Sequence, residues 1–383
     1  MPSEQQTSSN RSEAPVGDGL AARTHRKKRS PKHKVRRFLR KFLGSSRTGD
    51  RALRERPGEN AVFDRLWRVA AAASDYPRKL SIHQSNVLLF QMGKVASLAL
   101  EATLIDLGIN CFHCHFLRHD KEQSRLARLF RDEPNLWLAG TELKMLMRHT
   151  ALNMLVRWYR ANQVTPERKL KVITLTRDPA TWYVSQLLQH VGHDASRLLG
   201  WYREFGGGDA PSDDVGEAVG ALFRRLAKLI VATNPSTDPE AARESGQAMM
   251  LAMEPPQPYI AYNLERALIP LNWFDQEFTP LFGIDIRTVP ELAERGLAQR
   301  DAAFADILFV RFEDLATHME SIARFVGLPP FELPQRNVTA GKPHAHQILQ
   351  AARSFWATEL GASFQRELRA SAYGRACGYD RMM

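Results

Sequence analysis

The sequence has little of what marks secreted disulfide-bonded proteins or membrane proteins. Its 383 residues include three cysteines, Cys111, Cys114 and Cys377, which are too few and too unevenly spaced for a disulfide scaffold. It contains no stretch of about 18 apolar residues that could span a membrane. The first residues are polar and lack the apolar core of a secretory signal. These absences predict a cytoplasmic protein in a reducing compartment.

Positive charge is concentrated in one segment. The chain carries 53 Lys and Arg against 42 Asp and Glu, but eleven of the basic residues lie between Arg23 and Lys41, where there is no acid. The rest of the chain is therefore balanced in charge, and we expect no specific binding of nucleic acid. Two interpretations stay open for residues 23–43, a solvated tail and a peripheral contact with the anionic inner face of a membrane. The second depends on four apolar residues that fall on one helical face: Val35, Phe38, Leu39 and Phe42.

The order of apolar patterns predicts one α/β domain after a polar tail. We expect residues 1–50 to be a disordered basic tail and residues 51–383 to form the domain, with a helical insertion over about 190–300. Short apolar runs predict strands over 87–90, 111–116, 171–176 and 307–315. Helical periodicity predicts helices over 61–74, 95–107, 143–161, 215–232, 259–268 and one ending near Val326. The expected architecture is a central, mainly parallel sheet flanked by helices.

The first candidate site is the turn that follows the strand Val87–Phe90. Gly93 allows a sharp turn, and the helical pattern from Val95 onward places Lys94 and Ser97 near a helix N-terminus. Free backbone N–H groups and the helix dipole favour an anion there, and the lysine adds a positive charge. A Walker loop would need glycine at position 88 and Ser or Thr at position 95, where the chain has leucine and valine. The alternative is a plain corner with a surface lysine.

A second turn from strand to helix carries an arginine and a serine. The strand pattern of residues 171–176 leads into Arg177, Pro179 suits the first helical position, and Ser185 lies about two turns into that helix. A guanidinium and a hydroxyl placed in this way could hold an anion together. The alternative is a salt bridge at the strand end between Arg177 and Asp178.

The segment Cys111–Phe116 combines cysteine and histidine without favouring a metal site. On a strand, His113 and His115 share one face and Cys114 the other, and neighbours on a face are about 7 Å apart, which is too far to chelate one zinc ion comfortably. His115 lies instead at the carboxyl end of its strand, the edge at which open α/β sheets bind ligands. Its imidazole could take a proton from a hydroxyl there. The alternative is a structural histidine bonded to the backbone.

Both turns resemble parts of one enzyme superfamily. The stretch Gln91-Met92-Gly93-Lys94-Val95-Ala96-Ser97 resembles the 5′-phosphosulfate-binding loop of sulfotransferases that use 3′-phosphoadenosine-5′-phosphosulfate (PAPS). Its form is that of a bacterial sulfotransferase-like family assigned to capsular polysaccharide synthesis, which residues 272–286 also resemble. Arg177 and Ser185, eight positions apart, resemble the 3′-phosphate-binding motif of these enzymes. The resemblance covers scattered blocks over about residues 86–335.

The resemblance implies a P-loop-like, sulfotransferase-like fold and an enzyme that moves a sulfuryl group from PAPS to a hydroxyl of a saccharide or polysaccharide. Lys94 would stabilise charge on the leaving phosphate, and Arg177 and Ser185 would hold the 3′-phosphate. Arg336 and Lys342 stand near the place of a basic loop that closes over this phosphate in the superfamily, and Lys342 is taken as the candidate. No metal ion is expected, because the transferred group carries less charge than a phosphoryl group.

The general base and the acceptor are less well defined. His115 and Glu142 are both candidates for the base, since related sulfotransferases use either a His or a Glu. Trp182 stands where the capsular family commonly has a basic residue, and neither the Arg-Lys-Gly loop nor the aromatic C-terminal motif is evident. Two other functions remain as alternatives, a nucleotide-dependent kinase or phosphotransferase on the same fold and a non-catalytic nucleotide-binding scaffold.

Overall fold

The computed structural model describes six segments of the chain, residues 85–117, 141–162, 164–193, 214–233, 269–334 and 344–382. Several predictions fall outside these segments: the tail over 1–50, the helices over 61–74 and 259–268, and the placement of Lys342. Much of the predicted insertion over about 190–300 lies outside them as well.

In the described segments, five strands form one sheet. They are β1 (Asn86–Phe90), β2 (Asn110–Cys114), β3 (Leu170–Thr176), β4 (Leu297–Ala302) and β5 (Ala305–Arg311), in the order β2-β1-β3-β5-β4. Four of them run parallel, and β4 pairs antiparallel with β5 at the edge. The parallel strands are almost entirely buried, as expected when helices cover both faces of a sheet. The prediction of a mainly parallel sheet flanked by helices is therefore confirmed.

Helices connect the strands and continue after the last one. They are α1 (Ser97–Asp106), α2 (Thr141–Ala161), α3 (Pro179–His193), α4 (Val215–Thr233), α5 (Ile269–Trp273), α6 (Thr279–Phe282), α7 (Pro290–Arg295), α8 (Met319–Val326), α9 (Ala345–Trp356), α10 (Glu359–Ala370) and α11 (Ala372–Ala376). A π-helical turn, Phe274–Phe278, joins α5 to α6, and 3₁₀ turns lie at Pro166–Arg168, Ile286–Thr288, Phe312–Asp314 and Tyr379–Met382. Within the described segments, no helix is both long enough and apolar enough to cross a bilayer.

The sheet separates two hydrophobic clusters. On one face, Leu88 and Phe90 of β1 belong to a large cluster that includes residues of α2, α3, α4, α9 and α10. On the other face, Val87 and Leu89 belong to a smaller cluster with residues of α1 and α8. Successive side chains of a strand point to opposite faces. The continuous apolar run of β1 is therefore needed because both of its faces are covered.

The strands β1 and β3 lie where the chain reverses its direction across the sheet. From β1 the chain passes through α1 to β2 on one side, and it later enters β3 on the other side of β1. In consequence, α1 and α2 pack on opposite faces. A reversal of this kind leaves a crevice beyond the carboxyl ends of the two strands, where open α/β sheets bind ligands. The turns that carry Lys94 and Arg177 both lie at this crevice.

Three element boundaries differ from the sequence predictions in ways that affect the site. The strand predicted over 307–315 ends at Arg311, so Phe312 and Glu313 lie in a 3₁₀ turn. The first helix begins at Ser97 rather than Val95, so the turn after β1 is longer than expected. The second strand ends at Cys114, so His115 follows β2 directly instead of lying within it.

Candidate functional site

The turn between β1 and α1 has an unusual backbone. Gly93 has a φ of 94°, which suits glycine, but Lys94 with 61° and Ala96 with 57° are left-handed as well. For a residue with a Cβ, this conformation is about 1–2 kcal/mol higher in free energy than the right-handed one. The surrounding fold must therefore hold the turn in a shape that its own residues disfavour, and such strain is concentrated at functional sites.

The same turn has the backbone conformation of an anion-binding nest. Ala96 is left-handed with a ψ of 15°, and Ser97 begins the right-handed helix α1. A left-handed residue followed by a right-handed one turns three consecutive N–H groups into one concavity that suits an anion. The first turn of α1 contains no acidic residue, and no side chain caps it among the described residues. Met92 and Val95 are buried in the core and contribute only backbone, while Lys94 is partly exposed.

Two side chains of the second turn hold carbonyl groups of the first. The indole Nε1 of Trp182, a side chain with 1% exposure, donates to the Gly93 carbonyl at 3.1 Å. The guanidinium of Arg177 donates to the Lys94 carbonyl, across 83 positions of sequence. The guanidinium of Arg177 is therefore in direct contact with the backbone of Lys94, the other cationic residue that the sequence pointed to. Trp182, noted in the sequence only as a departure from the family pattern, is one of the residues that fix the turn.

Arg177 is held on several sides. Its Nε donates to the Thr181 hydroxyl at 3.2 Å, and its guanidinium carbon lies 4.7 Å from the centre of the Phe312 ring. The Tyr373 phenol accepts from the Arg177 backbone N–H and donates to the Arg177 carbonyl, both at 2.9 Å. Burial lowers the pKa of Arg177, and the nearby carboxylate of Glu313 opposes this shift. The guanidinium stays charged, because an arginine pKa remains far above neutral pH.

A C-terminal segment closes the carboxyl end of β3. Arg369 grips the buried Asp178 carboxylate with two hydrogen bonds, at 2.8 Å and 3.3 Å, and the same carboxylate accepts from the Ala180 N–H at the start of α3. Glu313 accepts from the Asp178 N–H at 2.9 Å and from the Tyr379 hydroxyl at 3.0 Å. Asp178 thus forms its ion pair with Arg369, while the Arg177 guanidinium binds the first turn.

Gln91 joins the turn to the neighbouring strand β2. Its buried side chain accepts from the Gly93 N–H through Oε1, and its Nε2 lies 2.9 Å from Nε2 of His113. The Gln91 carbonyl lies 2.9 Å from Nδ1 of His115. Because a carbonyl can only accept, Nδ1 of His115 carries a proton, and in the neutral ring Nε2 is the basic nitrogen.

The His115 ring lies against the turn and is kept neutral. A Cβ built on Gly93 would come within 3.4 Å of the His115 ring, so the two are in close contact. Burial lowers the pKa of His115 well below 6.5, and His113, His149 and Lys94 act in the same direction. Nδ1 of His115 is therefore bonded to the backbone, as the structural interpretation expects, and a role of Nε2 as a base stays a prediction.

The remaining predicted residues are less closely tied to the site. Ser185 lies partly exposed on α3, one turn beyond Thr181, and it is Thr181 that contacts the Arg177 guanidinium. Glu142 lies in the first turn of α2, with its side chain outside the described part of the structure. Lys342 lies outside the described residues. The two turns and His115 therefore define the candidate site.

Comparison with known proteins adds no relative to this picture. No family model, no curated protein and no solved structure matches the chain. In the six described segments, no group of three or more His, Cys, Asp or Glu is arranged to hold a metal ion. The function must therefore be inferred from the geometry of the site itself.

Proposed function

We propose that this protein is a sulfotransferase-like enzyme that moves a sulfuryl group from PAPS to a hydroxyl of a saccharide or polysaccharide. One observation carries the proposal: the guanidinium of Arg177 is bonded to the carbonyl of Lys94. The chain thereby brings two cationic residues from two different strand ends together at one crevice. A donor with separate 5′ and 3′ anionic groups suits two such centres better than a single phosphate would.

The first turn would receive the 5′-phosphosulfate. Its converging N–H groups and the Lys94 ammonium stabilise negative charge that develops on the leaving phosphate as the bond to sulfur breaks. The contacts from Trp182 and Arg177 hold the strained backbone at Lys94 and Ala96, so these donors are oriented before the ligand arrives. Charge stabilisation by groups already in position avoids reorganisation during the reaction.

Arg177 would hold the 3′-phosphate, with the hydroxyl of Thr181 or Ser185 beside it. Thr181 is the hydroxyl that already lies next to the guanidinium, at 3.2 Å from Nε. The stacking of Arg177 on Phe312 and its clamp by Tyr373 fix the cation without neutralising it. A fixed guanidinium loses little conformational entropy when it binds an anion.

His115 is the preferred base for the acceptor hydroxyl, with Glu142 as the alternative. The hydrogen bond to the Gln91 carbonyl fixes the tautomer of His115, and burial keeps the ring neutral at physiological pH. A neutral imidazole with a basic Nε2 can take the proton that the hydroxyl loses as it attacks sulfur.

Titration calorimetry with adenosine 3′,5′-bisphosphate (PAP, the desulfated donor) and with ATP tests the donor class. We expect metal-independent binding of PAP in preference to ATP. Binding of ATP that requires Mg²⁺ would favour a kinase or phosphotransferase instead. Binding of PAP without turnover of any saccharide acceptor would favour a scaffold that retains the donor site.

Two substitutions separate binding from chemistry. Arg177→Ala should weaken PAP binding, because the 3′-phosphate loses its cation. Lys94→Ala should lower turnover by about 100-fold, the usual loss for one donor at a developing anion. Lys171→Ala is the matched control, because Lys171 lies at the start of β3, away from the carboxyl edge, with its ammonium near the Phe325 ring. Near-normal turnover in Lys94→Ala would refute the assigned role.

A further inference from the structure

A buried chain of polar side chains runs from α2 to the turn after β1. Arg148 donates to one oxygen of Glu101 at 2.6 Å, and the other oxygen lies 3.6 Å from Nδ1 of His113. Nε2 of His113 meets the amide nitrogen of Gln91 at 2.9 Å, and the amide oxygen of Gln91 accepts the Gly93 N–H. Glu101, His113 and Gln91 are buried and Arg148 is partly exposed, so the chain connects the helices α1 and α2 to the backbone of the turn.

The chemistry of these atoms fixes the protonation of His113. The amide nitrogen of Gln91 can only donate, so Nε2 of His113 must be unprotonated to accept. The remaining proton then sits on Nδ1 and faces the Glu101 carboxylate. The network is therefore complete only when His113 is neutral and in this one tautomer.

Protonation of Nε2 would leave two hydrogen-bond donors, the Nε2–H of His113 and the NH₂ group of Gln91, facing each other. To restore a hydrogen bond to His113, the Gln91 amide would have to rotate and present its oxygen. Its NH₂ group would then face the Gly93 N–H, which would lose its acceptor. An unsatisfied buried N–H costs about 1–3 kcal/mol, and the turn it belongs to is already strained.

We propose that His113 is a positioning residue which, only in its neutral form, holds the Gly93–Lys94 turn in its anion-binding shape through the side chain of Gln91. The inference rests on the proposed function only for what the turn binds. The link between His113 and the turn stands on the hydrogen bonds themselves.

The charged and titratable groups around His113 determine the pH at which the hydrogen bond between His113 and Gln91 is lost. Glu101 from α1 favours the imidazolium, whereas Arg148 from α2 disfavours it, and the His115 ring packs edge-on at 4.5 Å. Burial has the largest effect and lowers the pKa of His113 below 6.5. The turn should therefore keep its shape at neutral pH and loosen as the pH falls below 6.5.

One amide signal reports the turn directly. Met92-Gly93 is the only Met-Gly pair in the sequence, so ¹³C-carbonyl methionine combined with ¹⁵N-glycine isolates the Gly93 N–H in a heteronuclear spectrum. In the wild-type protein this signal should titrate below pH 6.5. In Gln91→Glu the carboxylate pairs with the imidazolium, so the midpoint should rise by about one unit or more. In His113→Gln the titration should disappear.

The neighbouring histidine provides the control. In His115→Asn the titration of the Gly93 signal should persist, since the proposed sensor is His113. Loss of the titration in His115→Asn, or its persistence in His113→Gln, overturns the proposal. A signal that stays flat in both the wild type and Gln91→Glu overturns it as well, and this comparison suffices if His113→Gln does not fold.

Ligand affinity shows whether the link matters for binding. PAP affinity of the wild-type protein should fall about tenfold for each pH unit below the midpoint of the Gly93 signal, because only the fraction with neutral His113 binds. The PAP affinity of Gln91→Glu should not fall in this way. Protonation of the PAP phosphates affects both proteins equally, so it cancels when the two are compared. Absence of PAP binding at every pH would refute the proposed function, while the Gly93 signal would still decide the role of His113.

Discussion

Replacing Ala96 by glycine should stabilise the protein. Ala96 has a φ of 57°, and a left-handed residue with a Cβ loses about 1–2 kcal/mol that glycine does not lose. Glycine is less favourable by about 0.5–1 kcal/mol because the unfolded chain gains freedom. The Ala96 side chain is exposed, so no packing is lost. The net expectation is a gain of about 0.5–1 kcal/mol in the free energy of unfolding.

Urea denaturation of Ala96→Gly and Ala102→Gly measures this effect against a matched control. Ala102 lies inside α1, where the same chemical change should cost about 1 kcal/mol. The two variants should therefore shift the denaturation midpoint in opposite directions. PAP affinity of Ala96→Gly should fall even as stability rises, because a freer turn must be ordered on binding. If Ala96→Gly loses as much stability as Ala102→Gly, the turn does not have the strained backbone described above.

Two further predictions concern buried charge. Arg369→Ala should destabilise the protein by about 3 kcal/mol in urea denaturation, because the Asp178 carboxylate, with 6% exposure, would lose its ion-pair partner. The double variant with Asp178→Asn should recover part of that loss, and a loss below about 1 kcal/mol in the single variant would contradict the pairing. Stability should also fall with acid. His113 binds a proton more readily in the unfolded chain than in the folded one, because burial lowers its pKa in the folded state. Below pH 6.5 the free energy of unfolding should therefore fall by up to about 1.4 kcal/mol per pH unit, until the pH reaches the lowered pKa of the folded state. Urea midpoints at several pH values check this slope, which should flatten in His113→Gln.

The two candidate turns could be predicted because their signals are local. The apolar run of β1 followed by Gly93, and the run of β3 followed by Pro179, mark strand ends and helix starts within a few residues. The rule that parallel strands share a ligand-binding edge then brings Lys94 and Arg177 to the same side of the sheet. This much of the site follows from sequence and sheet geometry.

The contacts that hold the site could not be predicted in the same way. Arg177 meets the Lys94 carbonyl across 83 positions, and Tyr373 meets the Arg177 backbone across 196. Such pairs depend on the packing of whole helices, for which the sequence offers no local pattern. Thr181 is different, because its position four residues after Arg177 on one helical face could have been read from the sequence.

The edge strand β4 was missed for a physical reason. Its residues Leu297–Ala302 include no Val, Ile or Thr and only one large apolar side chain, and most are partly or fully exposed. The alternation of apolar and polar residues in this segment is too weak to distinguish a strand from a loop. Pairing with the apolar strand β5, which lies three residues later, determines its conformation.

The closing of β3 by residues 369–379 sets an order of events during biosynthesis. All the side chains proposed to touch the donor at the two turns have been synthesised by Ser185, and the five strands by Arg311. Even so, the Arg177 backbone lacks its partner Tyr373, and the Asp178 carboxylate lacks its partner Arg369, until almost two hundred further residues have been synthesised. A nascent chain that already contains the sheet should therefore bind PAP more weakly than the chain that includes Tyr373, and competence for the donor arrives late in translation.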